Sequence, residues 1–262
     1  NSTNKLCFND VSQFVQGISA TVLGLGATDE IDLTATAVDL NGTLDVSGTS
    51  QFNAAVTLAG TTPTLTIGDA GAEDTKIVFD GNAQDYYIGL DDTDDDLKIG
   101  LGSAVGTTSH IVIDEAGHVT MPLQSCFSGN IGTQQDNLAI DAWTTMTFDT
   151  EIFDLNADYN TGTYTFTAPV AGKYTFNCTL QFNALDADAT YWQSQLKTAN
   201  REYAMLNSGN QMDADPTNLG VSLTVIADMD ASDTAYMRFY QQGGTAQADL
   251  RVESYFTGCL LA

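Results

Sequence analysis

The sequence predicts an all-β protein, and three observations carry that prediction. From Tyr164 to Phe182 apolar and polar residues alternate: Tyr164 with Phe166, then Tyr174, Phe176, Cys178, Leu180 and Phe182, fall on one face, and threonines, Asn177 and Gln181 on the other. A period of two marks a strand with one buried face. Ala168-Pro169-Val170-Ala171-Gly172 interrupts the run, because proline withdraws a ladder donor and glycine permits a tight reversal. Ahead of this core, residues 1–60 fall into short alternating segments cut by Asn-Gly, Ser-Gly and Ala-Gly pairs, the punctuation of turns. The composition agrees, with 23 glycines, only 4 prolines and few long basic side chains.

Taken in order, Ile31 to Leu40 alternates, Asn41-Gly42 turns, and Leu44-Asp45-Val46 resumes until Ser47-Gly48; Phe52, Val56 and Leu58 follow. Strands are expected at each run. One copy owns too little apolar surface to close a core, whereas three copies wound about one axis can bury each stripe against the others. This half is therefore expected to be a trimeric shaft, with strand-forming segments over residues 1–72.

A weak repeat follows. Lys5-Leu6-Cys7-Phe8-Asn9-Asp10 parallels Lys76-Ile77-Val78-Phe79-Asp80-Gly81, and Val22 to Gly26 parallels Lys98 to Gly102. The second copy, within residues 73–121, reads as a small β module of about five strands. Its Asp91-Asp92-Thr93-Asp94-Asp95-Asp96 run offers carboxylates to a calcium ion, but lacks the glycine and the closing glutamate of a helix-loop-helix calcium site. A solvated turn between Leu90 and Leu97 is the expectation, and no metal is assigned.

In the C-terminal part, Tyr159-Asn160-Thr161-Gly162, Phe166-Thr167-Ala168-Pro169 and Gly172-Lys173-Tyr174-Thr175-Phe176 resemble the globular head of complement component one q, which shares the tumour necrosis factor jelly roll. Cys126-Phe127-Ser128 is similar to that family's first strand, Phe148-Asp149 to its second, and Tyr255 to Leu261 to its closing one. The resemblance covers roughly residues 124–262, and implies a ten-stranded sandwich over residues 122–262 that forms tight trimers. The family's turn before its next-to-last long strand commonly reads Gly-Asp; here Ser232-Asp233 stands there. Val38 to Gly48 resembles the shaft segments of tailed-phage fibres, and Lys76 to Met121 resembles modules placed before the tip of such fibres.

The 4 cysteines lie too far apart for a zinc or redox motif. They are expected as small buried side chains, although the resemblance makes Cys126 and Cys259 neighbours that could be bridged. A net charge of −26 excludes a nucleic-acid surface, which needs clustered cations. Hydrophobic residues at 43% exclude a disordered acidic chain. Nothing approaches the roughly 20 apolar residues that span a bilayer, so no membrane insertion is expected. The chain opens at Asn1 without an apolar secretory block, and is expected to begin partway into a longer protein.

No catalytic constellation is present. The glycine runs Gly100-Leu101-Gly102 and Gly129 to Gly132 lack the Lys-Ser/Thr of a phosphate loop, and 2 histidines leave little for a nucleophile. No enzyme activity and no cofactor are expected. Recognition is assigned to three loops, over residues 186–192, 207–213 and 240–245, with Tyr191, Asn207, Asn210, Gln211, Tyr240 and Gln241 as receptor-binding candidates. Trp192 is weighed beside Tyr191 and expected in the core. The resulting expectation is a virion protein, a tail fibre or spike whose trimeric tip attaches to a host-cell glycan or protein while its N-terminal end joins other tail or capsid proteins. A capsid decoration protein and a secreted cellular adhesin or lectin are the alternatives, with a glycan-cleaving tip more remote.

Overall fold

The computed structural model describes residues 5–7 and 12–262; Asn1 and the Phe8-Asn9-Asp10 part of the first repeat copy lie outside the described residues. The chain divides into two compact units, Asn1–Thr64 and Leu65–Ala262. Among the described residues no helix is long and apolar enough to cross a membrane.

In the first unit β1 (Lys5–Cys7), β2 (Phe14–Gly17) and β3 (Leu23–Gly26) form an antiparallel meander. Beyond β3, among the described residues, no strand forms before Thr75. The strands expected over residues 31–40 and 44–46 are therefore absent from the single chain. Their alternating apolar side chains stand in solvent: Leu33 is 64% exposed, Leu40 61%, Leu44 66% and Phe52 68%. The cause is physical. A strand needs a ladder partner for every second N–H and C=O, and among the described residues nothing covers these apolar stripes.

The second unit opens with β4 (Thr75–Phe79), β5 (Tyr86–Asp91), β6 (Asp96–Leu101), β7 (Ser109–Ile113) and β8 (Val119–Thr120), an antiparallel sheet in that order. The repeat in the sequence reappears as geometry, since Lys76 to Phe79 lies on the first strand of its meander as Lys5 to Cys7 does on its own. The Asp91 to Asp96 run is the tight turn between β5 and β6, with Asp95 at φ 59°. Lys98 Nζ donates to Asp91 Oδ2 at 2.7 Å and to Asp94 Oδ2 at 2.5 Å. Among the described residues no cluster of His, Cys, Asp or Glu could hold a metal ion.

The head follows: β9 (Cys126–Asn130), β10 (Thr144–Thr145), β11 (Thr150–Asp154), β12 (Tyr159–Asn160), β13 (Thr165–Thr167), β14 (Gly172–Asn183), β15 (Tyr191–Thr198), β16 (Glu202–Asn207), β17 (Leu219–Met229), β18 (Thr234–Gln242), β19 (Asp249–Leu250) and β20 (Tyr255–Leu260). One sheet runs β11-β9-β20-β14-β17 and the other β12-β13-β18-β15-β16, with the two-residue strands β19 and β10 added to β14 and β18. Those two short additions make each sheet six-stranded.

On β14, Tyr174, Phe176, Cys178, Leu180 and Phe182 all point inward, as the alternation requires. Tyr164 does not join Phe166. It sits in the preceding turn at φ 58°, where Asn160 Oδ1 accepts from Gly162 N at 2.8 Å, and Tyr159 fills the inward place instead. Phe127 lies at the centre of the core, stacked 4.6 Å from Tyr159 and 5.0 Å from Phe166, with Phe256 edge-on at 5.0 Å. Gly258 faces this cluster because a Cβ there would stand 2.6 Å from Phe127. The turn over residues 230–233 carries the chain from one sheet to the other, so β17 and β18 are not a pair. Ser232 adopts φ 73° at the place of the family's glycine.

Cys126 and Cys259 are bridged across the register of β9 and β20. The expectation of four small buried thiols is corrected accordingly: Cys7 is exposed and Cys178 alone is a buried thiol. Spacing could not reveal a bridge made by pairing the first long strand of the head with its last.

Candidate functional site

Strand parity decides which side chains reach solvent on the second sheet. On β15 Trp192, Ser194, Leu196 and Thr198 point into the sandwich, which leaves Tyr191, Gln193 and Lys197 outward and half-buried, with Gln195 on the same outer face but covered, at 4% exposed. On β18 Ala235, Met237, Phe239 and Gln241 are buried, and Tyr236, Arg238 and Tyr240 alternate with them. The register sets Gln195 opposite Arg238 and Gln193 opposite Tyr240. β10 adds Thr145 on the other side of Arg238, and this places Trp143, the residue just before that strand, over the same patch.

An aromatic and polar surface results. The Arg238 guanidinium lies 3.8 Å from the Trp143 ring centroid, a cation–π contact. Trp143 packs 5.2 Å from Tyr240, and Tyr240 stacks 5.9 Å from Tyr191. Trp143 keeps 40% of its surface in solvent. Arg238 is held from below, donating from Nε to Gln195 Oε1 at 2.6 Å and from Nη2 to Glu202 Oε1 at 2.9 Å. Lys197 first, and Arg238 with it, keep the Glu202 carboxyl below its ordinary range. Desolvation raises the Tyr240 phenol, helped by Tyr191 and Asp141, so it stays a neutral hydroxyl at physiological pH. Such a surface can stack on flat apolar faces and exchange hydrogen bonds through amides and hydroxyls.

The three loops singled out in the sequence meet at one end of the sandwich. Asp186 Oδ2 accepts from Thr245 N, and Asp215 takes Ala187 N at 2.8 Å and Gln247 Nε2 at 2.7 Å. The six expected receptor contacts divide. Tyr191 and Tyr240 come together on the patch. Gln211 is exposed on a 3-10 turn, Gly209–Gln211. Asn210 lies in that same turn, and its side chain is outside the described residues. Asn207 ends β16 half-buried opposite Trp192. Gln241 is wholly buried. Its Nε2 donates to Gly243 O at 3.1 Å and Thr245 O at 3.0 Å, so it shapes the loop from inside rather than meeting a receptor. Trp192 is in the core, at 0% exposed. The sequence reading missed Trp143 and Arg238; the available signal was a tryptophan outside every alternating run, one of 2 in the chain.

The stretch that builds this sandwich, with its closing strand β20 between β9 and β14, matches the profile of the C1q domain over residues 127–261. The chain belongs to the C1q domain family. Among solved structures, its C1q domain is similar to the globular domain of zebrafish complement 1qA protein, with 16% identity, a TM-score of 0.41, and coverage of 53% of this chain and 98% of that one. Murine APRIL matches at 9% identity and a TM-score of 0.39, over 53% of this chain and 99% of its own. The PRD1 vertex protein P5 matches at 9% and 0.37, over 53% and 99%. No curated protein matches the chain. C1q domains are typically non-enzymatic binding modules that form homotrimers.

Proposed function

We propose that this chain is a homotrimeric fibre protein of a virion, a tail fibre or spike, whose C1q tip attaches the particle to a glycan or protein of the host-cell surface. One observation carries the reading: a long segment of apolar residues left exposed among the described residues, from Ile31 to Ile67, stands ahead of a domain whose class typically forms trimers. Three copies wound together supply the missing ladders and bury the stripes. The groove lined by Val15, Leu25, Ile31 and Leu33 belongs to the same uncovered surface. Three equivalent tips then act together, so that weak single contacts give a firm hold. The Trp143, Arg238, Tyr240 and Tyr191 patch is the contact surface proposed on each tip, with Asn207, Asn210 and Gln211 at its loop end.

A secreted cellular adhesin is a second reading, favoured by membership of the C1q family, whose proteins are extracellular as a class, and by the Cys126–Cys259 bridge, since disulfides persist in oxidising surroundings. The native mass by light scattering comes first, and three subunits are expected; one subunit removes the fibre. Purified particles digested for mass spectrometry should contain the chain, and finding it only in free secreted form selects the adhesin. Soluble trimer should bind host cells, and Trp143→Ala should weaken that binding by about tenfold without changing the melting temperature, as loss of one exposed aromatic anchor does. Wild-type trimer that is incorporated into particles yet leaves host cells bare would reduce the chain to decoration.

A further inference from the structure

The small module is built inside out. Register fixes which residues share each face of its sheet: Phe79, Tyr86 and Leu101 lie in one row, Ile77, Ile88, Ile99 and Ile111 in the next, and Leu90, Leu97, Ile113 and Val119 in a third with Thr75. Apart from Thr75 and the hydroxyl of Tyr86 those rows are apolar. The opposite face carries Tyr87, Asp91 and Lys98, yet these are the buried residues, at 0%, 7% and 6% exposed. The loop after β6 covers them, with Gly106 N donating to Tyr87 Oη at 3.0 Å and Gly106, at φ 80°, closing over Asp91. On the apolar face Ile77, Phe79, Tyr86, Ile88, Leu90, Leu97 and Val119 remain between 37% and 62% exposed.

A sheet that spends its own loop on the charged side and leaves the apolar side open is arranged for a partner on that side. We infer that this face packs against the same face of two further copies of the chain, three sheets standing around one axis as a triangular prism with the apolar rows inside. Two arguments select this occupant. Exposed fractions of this size, at ~150–250 Å² for each aromatic side chain and less for each aliphatic one, leave about 500 Å² per copy, so the three faces together bury about 1,500 Å², above the ~1,000 Å² that a specific assembly needs. Charge is the second. Copies of a chain with net charge −26 repel one another, and the surface they can share is the one free of carboxylates; this face has none in its paired rows, although the turn beside it holds five aspartates between Asp91 and Asp96. The inference rests on the trimeric reading above and extends the shared axis into a region outside the C1q domain.

The test uses the full chain with Cys7→Ser, adding Ile88→Cys in one variant and Thr93→Cys, in the exposed turn, in another. In a particle of trimeric mass, the cysteine at position 88 should alkylate roughly tenfold slower than that at position 93, and a short bis-maleimide should join copies through position 88 alone. Leu97→Cys repeats the measurement should the first variant fail to assemble. Trimeric mass with equal alkylation rates and no cross-link at positions 88 and 97 overturns the shared face while leaving the trimer intact. Monomeric mass of the wild-type chain overturns both.

Discussion

Lys98 holds Asp91 and Asp94 in place from a position 6% exposed, and removing it would strand a buried carboxylate. Breaking one side of a buried pair costs about 3–5 kcal/mol, so Lys98→Met should unfold the module well before the head, read by amide exchange across β5 and β6. The hydrogen bond from Lys98 holds the Asp91 carboxyl below its ordinary range despite burial, and Asp91 in turn holds the Lys98 amine above its own. A depressed carboxyl stabilises above its unfolded pKa of about 3.9, and a raised amine stabilises below its unfolded pKa of about 10.4. The module should therefore be most stable between those limits, weakening as acid titrates Asp91 and, at the other end, as base titrates Lys98. In Lys98→Met the acid limb should reverse, because protonating an unpartnered buried Asp91 relieves it; thermal midpoints at pH 7 and pH 4 distinguish the two. Ser232 poses a smaller question. It adopts φ 73° with its N–H bonded to Ala168 O at 2.8 Å, a conformation that costs a residue with a Cβ about 1 kcal/mol. Ser232→Gly should raise the stability of the head by about 0.5 kcal/mol, the relief being partly offset by a freer unfolded chain; an unchanged or lower urea midpoint would show that the turn carries no strain.

At the scale of elements, the bridge between Cys126 on β9 and Cys259 on β20 joins positions 133 residues apart and clasps the two ends of the head. Closing so long a loop removes entropy mainly from the unfolded chain, and its loss costs about 2–5 kcal/mol. The double variant Cys126→Ser, Cys259→Ser should lower the unfolding free energy of the head, from urea titration, by that margin, while reductant should do nothing further to it. Thiol titration of the unfolded wild-type chain should count two groups, Cys7 and Cys178; burial pushes the Cys178 thiol upward, so it should stay unalkylated until unfolding. β14 was legible in the sequence because a strand with one face in an aromatic core must alternate, and it does so without a break from Tyr174 to Phe182. Tyr164 misled for the same reason: it keeps the parity of Phe166, but the Asn160 turn had not yet ended. Tyr191 and Tyr240 could be named from their loops, whereas Trp143 reaches Arg238 only through the pairing of Thr145 with a strand nearly a hundred residues on. No local pattern encodes a meeting of that kind. Gln241 looked like its polar neighbours, and only the inward parity of β18 shows that it serves the loop.

For the whole molecule the decisive opposition is between uncovered apolar stripes and charge. Each chain carries 34 acidic residues against 8 basic ones, and several of the cations are already engaged within their own copy, Lys98 with Asp91, Lys173 with Asp228, Arg238 with Glu202 and Arg251 with Glu253. In the proposed trimer, assembly brings together like charge with few cations left to offset it, and what must outweigh the repulsion is burial of residues such as Leu33, Leu40, Phe52 and Ile88. Repulsion between exposed carboxylates reaches about 30 Å at 0.01 M salt and about 8 Å at 0.15 M, whereas burial of apolar surface changes little over that range. Salt should thus tighten the trimer: on dilution, light scattering should find subunits released at higher protein concentration in 0.01 M salt than in 0.15 M. An assembly that loosened as salt rose would instead be held by opposite charges across its interfaces, and the apolar stripes of residues 31–67 and of the module would then need some other cover.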